Sequence, residues 1–199
     1  MGYTKFTKDK VQELINRYQP KYVIDLGDQM DYEQPLLPAP YIHPFFEKQG
    51  VQYVCIDLNG GNGALQIDLS KKLTDNIPQR TFLLCDCGVS EHIGNDKSEF
   101  DWECIYNCWL IKHQLTNVTG IIYSENPKTN SWPLHGRQFY TKEFYYGMIS
   151  LAGYELLDIG EHAACNNFVD GWNVYATLRK ISNKFPTIEE FKTLDLRLS

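Results

Sequence analysis

Short apolar runs alternate with longer amphipathic stretches along most of the 199-residue chain. The apolar runs are rich in β-branched and aromatic residues and are too short for buried helices, so they predict strands. The predicted strands are Tyr22–Leu26, Val51–Leu58, Thr81–Cys87, Gly120–Ser124, Tyr154–Ile159 and Trp172–Arg179, with a further extended segment at Ala64–Asp68.

Between these runs, apolar side chains recur at helical spacing. The predicted helices are Thr7–Arg17, Tyr41–Lys48, Glu99–Leu115 and Thr141–Ala152, with a helical turn or two at Ser70–Asn76. Thr7 and Thr141 are predicted N-caps, since threonine hydroxyls accept from first-turn amides. The alternation of helices and strands predicts an α/β fold with a Rossmann-like, mostly parallel sheet covered by helices on both faces. The spacing of the last two predicted strands allows them to pair with each other in antiparallel orientation. The last strand is therefore expected to run antiparallel to the rest of the sheet.

Length and composition fit a single domain over residues 1–199, with two additions. The segment 28–40 holds three prolines, which rule out a continuous helix and predict a loop insertion. The segment 182–199 reads as a C-terminal extension, in which the Pro-Thr-Ile-Glu-Glu that begins at Pro186 predicts the start of a docked helix.

The charge and the cysteines narrow the class of protein. A formal net charge of −6 argues against a generally basic nucleic-acid surface, although a local basic strip remains possible. No apolar run approaches the roughly 18–20 residues of a membrane span. The beginning of the chain lacks a signal-peptide pattern, so the six cysteines are expected to be reduced thiols of a cytoplasmic protein. The sequence leaves the oligomeric state open.

Four motifs at predicted strand ends follow one another in a fixed order. They are Val-Ile-Asp-Leu-Gly at 23–27, Ile-Asp-Leu at 56–58, Gln-Ile-Asp-Leu at 66–69, and the run 82–93, which contains Asp-Cys-Gly and then Glu-His. Together with a predicted helix that ends in Ala-Gly-Tyr at 152–154, this series resembles the class I S-adenosylmethionine-dependent methyltransferase family over residues 20 to 180.

The resemblance implies S-adenosylmethionine as cofactor and methyl transfer to an acceptor that is a small molecule or an unidentified macromolecule. It places Asp57 against the ribose hydroxyls and Asp68 near the adenine amino group. The cofactor-binding residues that it implies are Asp25, Gly27, Asp57, Leu58, Asp68, Leu69 and Asp86.

Two histidines are candidate catalytic residues. His92 follows the strand that ends in Cys87, and histidine is the residue type best suited to general-base catalysis near neutral pH. His135 follows the next predicted strand, in a loop where Trp132 and Arg137 are suited to hold a planar or anionic acceptor. A packed or solvated role is the alternative for both histidines.

The first loop departs from the family pattern, because only Gly27 remains of its glycines. Glycine allows close approach of backbone to a ligand, so its loss raises the alternative of a catalytically inactive binding or assembly module. A nicotinamide-dependent enzyme ranks lower, since Gly-x-Gly-x-x-Gly is missing. No metal site is predicted: Cys85, Cys87, Cys104 and Cys108 include no Cys-x-x-Cys pair.

Overall fold

A central sheet organises the chain in the computed structural model, which describes residues 2–33, 40–73, 80–94, 99–132, 135–164 and 171–198. Within these ranges the sheet has seven strands in the order β3-β2-β1-β4-β5-β7-β6. Its strands are β1 (Tyr22–Leu26), β2 (Gln52–Asp57), β3 (Leu65–Gln66), β4 (Thr81–Cys87), β5 (Thr116–Pro127), β6 (Tyr154–Ala163) and β7 (Trp172–Lys180).

The first five strands run parallel, and β7 runs antiparallel to both β5 and β6. This arrangement confirms the predicted α/β fold with an antiparallel last strand. Two small ladders lie outside the sheet. Gly2–Tyr3 pairs in parallel with Met30–Asp31, and Gln138–Phe139 pairs antiparallel with Arg197–Leu198.

Helices cover both faces of the sheet. They are α1 (Lys5–Tyr18), α2 (His43–Lys48), α3 (Trp102–Leu115), α4 (Lys142–Ala152) and α5 (Ile188–Phe191), with 3₁₀ turns at Gly61–Gly63 and Ser90–His92. Apolar residues of α1 and α2 pack on one face in a core with Val23 and Tyr3. The other three helices pack on the opposite face, in a larger core that contains Ile24, Leu26 and Trp109. None of the described helices is both long and apolar enough to cross a bilayer.

Three helix starts differ from the predictions, and the first of these is α2, which begins at His43 rather than Tyr41. Helix α1 begins at Lys5, not Thr7, because Thr4 is its N-cap: the Thr4 hydroxyl accepts from the Thr7 amide at 3.2 Å, and the Thr7 hydroxyl accepts from the Thr4 amide at 3.3 Å. Helix α3 begins at Trp102 rather than Glu99, since the Asp101 carboxylate caps it.

The two additions both make contacts with the rest of the chain. In the first, the Asp31 amide donates to the Pro40 carbonyl at 2.7 Å, while positions 34–39 lie outside the described residues. In the second, Thr187 caps the predicted docked helix, and Phe191 lies buried in the larger core. The helix predicted at Ser70–Asn76 is absent over 70–73, where the chain turns; positions 74–76 lie outside the described residues.

Candidate functional site

Strand order reverses between β1 and β4, and in open α/β sheets the carboxyl ends of the strands at such a reversal are where ligands bind. The register pairs Leu26 with both Ile56 and Asp86, and pairs Asp86 with Ser124. The strand-end motifs predicted to bind a ligand therefore meet along one edge of the sheet, which we call the carboxyl edge.

Gly27 follows β1 at the carboxyl edge with a φ of +77°, a conformation that favours glycine. Its amide donates to the Ile56 carbonyl at 2.7 Å. A Cβ at this position would lie 2.8 Å from Val89 Cγ2 and 3.0 Å from the Gln29 Nε2. Gln29 is itself buried, and its amide donates to the Leu26 carbonyl at 2.7 Å. The space beside the Gly27 Cα is thus filled by the protein's own side chains.

Asp57 ends β2 and keeps part of its carboxylate available. Its Oδ2 accepts from the Asp28 amide at 3.3 Å, and its Oδ1 accepts from the Asn59 amide at 2.8 Å. Because an ionised carboxylate offers about four acceptor positions, each oxygen can accept a further hydrogen bond. Leu58 follows with 59% of its surface exposed. A hydrogen-bond acceptor and an apolar surface therefore lie side by side at the end of β2.

Asp68 and Leu69 follow β3 and have different surroundings. Oδ1 of Asp68 accepts from the Ser70 amide at 3.0 Å and from the Ser70 hydroxyl at 2.6 Å, and its Oδ2 lies 3.0 Å from the Lys71 ammonium. The Ser70 hydroxyl holds the pKa of Asp68 below its usual range. Leu69 is buried in the core. Asp68 borders an open cleft of about 580 Å³ against the start of α3.

Asp86 lies in β4 inside a closed polar network. Its Oδ2 is 2.5 Å from the Lys112 ammonium and accepts from the Ser124 hydroxyl at 2.9 Å and the Ser90 hydroxyl at 2.7 Å. Both charged side chains are fully buried. Burial acts to raise the pKa of Asp86, but the Lys112 charge and these hydrogen bonds outweigh it, so the pKa is lowered. The carboxylate faces its network rather than open space.

Asp25 in β1 is also fully buried, but no lysine, arginine or histidine of the described residues forms an ion pair with it. The Tyr53 hydroxyl donates to its Oδ2 at 3.1 Å, while its Oδ1 has no hydrogen-bond partner among the described residues. Burial raises the pKa of this carboxyl group well above its ordinary value, which favours the neutral acid. Asp25 therefore faces the interior of the protein, where Tyr53 contacts it.

A cavity of about 110 Å³ opens where β4 and β5 end. Its lining includes Gly88, Glu91, Glu125, Trp132 and His135. The structure brings the two predicted catalytic histidines together beside this cavity, which His135 lines: the ring centroids of His92 and His135 are 4.8 Å apart, and their Nε2 atoms lie 3.4 Å and 3.6 Å from Oε1 of the buried Glu91. Their proposed catalytic role remains a prediction.

A second buried carboxylate in the same cavity, that of Glu125, was not predicted from the sequence. Glu125 Oε1 lies 2.9 Å from Nε2 of His162 and accepts from the Asn173 amide at 2.8 Å. Its Oε2 accepts from the Tyr123 hydroxyl at 2.6 Å. Burial acts to raise the pKa of Glu125, but the His162 contact and the other hydrogen bonds outweigh it and lower the pKa. The only signal in the sequence was a polar residue directly after the apolar run 120–124.

No family model matches the chain, and no curated protein matches its sequence. Solved structures do match. The 1,6-didemethyltoxoflavin-N1-methyltransferase of Burkholderia thailandensis, solved with S-adenosylhomocysteine, gives a TM-score of 0.59 at 13% identity over 88% of this chain and 78% of its own. N-methyltransferase NodS of Bradyrhizobium japonicum, also with S-adenosylhomocysteine, gives 0.59 at 10% identity over 90% of this chain and 89% of its own. The [4+2]-cyclase SpnF gives 0.57 at 8% identity over 92% and 84%.

At these identities the similarity concerns the fold. One of the three matched proteins is a cyclase, so the same architecture supports more than one reaction, and activity has to be argued from the site. The matched structures share this fold over 88% and 90% of the chain. This chain has the Rossmann-like fold of the class I S-adenosylmethionine-dependent methyltransferases.

Proposed function

We propose that this protein is an S-adenosylmethionine-dependent methyltransferase whose acceptor, a small molecule or a macromolecule, binds at the carboxyl edge. The observation that carries the proposal is the end of β2, where Asp57 retains free acceptor positions beside the exposed Leu58. Two matched structures of this fold hold S-adenosylhomocysteine, which supports the choice of cofactor.

The residues at the end of β2 fit the adenosyl half of this cofactor. Two vicinal ribose hydroxyls are donors suited to an ionised carboxylate such as Asp57, because hydrogen bonds to charged acceptors are the stronger kind. The apolar Leu58 side chain offers a surface for the flat face of adenine. We propose Asp68 as a weaker contact to the base, because its oxygens already accept from Ser70 and contact Lys71.

The remaining predicted cofactor residues are proposed to shape the site. Gly27 turns the chain after β1, and Leu69 anchors the loop after β3 in the core. Asp25 and Asp86 are fully buried and hold the strand ends in place through their hydrogen bonds. These four residues would act on affinity through the geometry of the carboxyl edge.

The cofactor, when bound, supplies a methyl group that is already activated as part of a sulfonium. The work left to the protein is to align the acceptor and to exclude water. The cavity at the ends of β4 and β5 is suited to this, since Trp132 and Pro127 line it together with the polar Glu91 and His135. We propose that His92 or His135 accepts the proton that an acceptor hydroxyl or amine loses.

Isothermal titration calorimetry with S-adenosylhomocysteine tests the proposal. We expect binding by the wild type and a loss of roughly 10- to 100-fold in Asp57→Ala, since hydrogen bonds to charged groups contribute about 1.5–3 kcal/mol. Asp9→Ala is the matched control, because Asp9 is an exposed carboxylate on α1 that pairs only with Lys5. Wild-type affinity in Asp57→Ala, or no binding by the folded wild type at millimolar ligand, would contradict the cofactor assignment.

A transfer assay separates the enzyme from the inactive binding module. Radiolabelled S-adenosylmethionine is added to a cell extract with and without the protein. We expect labelling of an acceptor that depends on the protein and decreases in Asp57→Ala. Cofactor binding without any such labelling would instead favour the binding or assembly module, to which the filled space beside Gly27 points.

A further inference from the structure

Glu91, His92 and His135 form a compact group at the carboxyl edge, which we call the Glu-His-His cluster. One Oε1 of Glu91 lies 3.4 Å from Nε2 of His92 and 3.6 Å from Nε2 of His135. The donor atoms of all three side chains lie within 4.8 Å of one another. The carboxylate and one imidazole come from the turn Ser90–His92, and the other imidazole comes from the loop that carries His135. The three groups thus surround a common volume.

The Glu91 carboxylate is buried and makes no short hydrogen bond to any described residue. Its side chain is 1% exposed, and neither of its oxygens has a hydrogen-bond partner among the described residues. Burying a charged group without compensation is costly, so a buried carboxylate normally has a bonded partner or a metal ion. The two histidines beside it are 37% and 40% exposed, which leaves the other side of the cluster accessible from solvent.

The spacing of the donor atoms suits a bound metal better than direct hydrogen bonds. Hydrogen bonds to oxygen join atoms about 2.7–3.2 Å apart, which is shorter than both distances from Glu91. Ligands at 2.0–2.2 Å from a tetrahedral ion are roughly 3.3–3.6 Å from one another. The observed 3.4 and 3.6 Å therefore match the edges of a coordination tetrahedron.

The backbone around the cluster fixes its geometry. The Arg137 amide donates to the Glu91 carbonyl at 2.7 Å, and the Arg137 Nε donates to the His92 carbonyl at 3.0 Å. Gly136 has a φ of +77°, and a Cβ there would lie 2.9 Å from the Cγ of Glu91. A glycine at this position lets the loop that carries His135 lie directly against Glu91. The two loops are thereby held together before any ion binds.

We propose that Glu91, His92 and His135 bind one divalent transition-metal ion of the zinc, cobalt, iron or manganese type. Two neutral imidazoles and one carboxylate are ligands that suit such ions and leave coordination positions open. Glu91 and His135 line the cavity with Trp132 and Gly88, so an open position faces that cavity. A water molecule, or an oxygen or nitrogen atom of a bound molecule, completes the coordination there. Because a nitrogen bound to the ion cannot also accept a proton, the general-base role proposed for His92 or His135 applies to the metal-free protein.

A second group of possible ligands is a poorer candidate and serves as a control. His43 Nε2 lies 3.8 Å from both the Cys55 sulfur and the Asp28 Oδ1. A metal requires the thiolate, yet burial raises the pKa of the Cys55 thiol to about 11. Binding at this group would moreover show a sulfur-to-metal charge-transfer band, which the Glu-His-His cluster cannot produce.

Titration of the chelator-treated full chain with Co²⁺, followed by visible absorption, tests the site. We expect one equivalent of Co²⁺ to bind per chain. The visible spectrum of the bound ion should show the ligand-field bands of a low-coordinate ion and no sulfur charge-transfer band. Glu91→Gln, which preserves side-chain size, and His135→Ala are each expected to weaken Co²⁺ binding at least about 100-fold. His43→Ala is expected to bind as the wild type does, and circular dichroism verifies that each variant folds.

Three results would overturn the metal site. They are the absence of Co²⁺ binding by the folded wild type at millimolar concentration, unchanged binding in Glu91→Gln, and a sulfur charge-transfer band that disappears in His43→Ala. Because Co²⁺ is titrated without any nucleoside, failure of the metal site is distinguishable from failure of the proposed cofactor binding.

Discussion

Asp25 and Asp86 are the same residue type at almost the same height on adjacent parallel strands, yet their electrostatic states are opposite. The register pairs Leu26, the neighbour of Asp25, with Asp86, and both carboxyl groups are fully buried. Asp86 contacts the Lys112 ammonium of α3 and has a lowered pKa. Asp25 receives a hydrogen bond from the Tyr53 hydroxyl, has no cation partner in the part of the chain that the structure describes, and has a raised pKa.

The difference teaches that burial alone does not decide whether a carboxyl group is charged. The two groups point to opposite faces of the sheet, and only the face covered by α3 supplies a buried lysine. The β4 side of the carboxyl edge is consequently an ionised, fully hydrogen-bonded network. The β1 side is a neutral acid among aromatic side chains. Two predictions test this contrast, and a third extends the comparison to carboxylates outside the core.

The largest effect is expected from Lys112→Met. Removal of the ammonium leaves Asp86 as an uncompensated buried charge, and breaking such a pair costs about 3–5 kcal/mol in the free energy of unfolding. Urea denaturation followed by circular dichroism measures the loss. Lys5→Met is the matched control, because Lys5 and Asp9 are 70% and 65% exposed and such pairs contribute at most about 1 kcal/mol.

The double variant Asp86→Asn with Lys112→Met sharpens this test. It removes both charges, so it is expected to recover part of the stability lost in Lys112→Met. Equal losses in Lys112→Met and Lys5→Met would show that Asp86 is not held as a buried ion, and the contrast with Asp25 would then fail.

An intermediate effect is expected in the pH dependence of Asp25→Asn. A carboxyl group whose pKa rises on folding stabilises the protein fully below its unfolded pKa, near 3.8, and loses that contribution as the pH rises towards the folded pKa. The Asp25→Asn variant has no carboxyl group at this position, so it does not lose stability in this way as the pH rises. Its stability relative to the wild type is expected to improve by up to about 1.4 kcal/mol per pH unit over that range.

The pH dependence of stability in Asp86→Asn is expected to have the opposite sign, and this variant is the control for the experiment. A lowered folded pKa gives stability that is present above pH 3.8 and disappears on acidification through the folded pKa. The deficit of this variant should therefore be constant near neutrality and shrink only in strong acid. Parallel pH profiles for the two asparagine variants would contradict the opposite charge states.

The contrast between Asp25 and Asp86 also shows which parts of the structure can be predicted from the sequence. Apolar runs that end in Asp or Gly located Gly27 and Asp57 at one edge, because parallel strands end together. Sequence did not reveal that Lys112 meets Asp86, since helical periodicity gives the face of α3 but not its height on the sheet. The Glu125–His162 contact was also hidden, because His162 lay in a predicted loop that is in fact the end of β6.

The Glu-His-His cluster illustrates the same limit. Ligand spacing along the sequence gave no metal motif, because His135 lies 44 positions after Glu91, beyond an entire helix and strand. The three residues meet because a positive-φ glycine folds the second loop onto the first. Such contacts depend on loop conformation, which residue periodicity does not encode.

The smallest effect is expected from Asp68→Ala, which extends the comparison to carboxylates outside the core. Asp68 is satisfied by Ser70 and Lys71, whereas Asp57 accepts only two backbone amides and keeps free acceptor positions. Calorimetry with S-adenosylhomocysteine should therefore show a loss of at most about threefold for Asp68→Ala, against the roughly 10- to 100-fold expected for Asp57→Ala. If Asp68→Ala weakened binding as strongly as Asp57→Ala, the Asp68 carboxylate would have to break its hydrogen bonds to Ser70 in order to bind the ligand. The hydrogen bonds of the ligand-free chain would then not distinguish a carboxylate that binds ligand from one that does not.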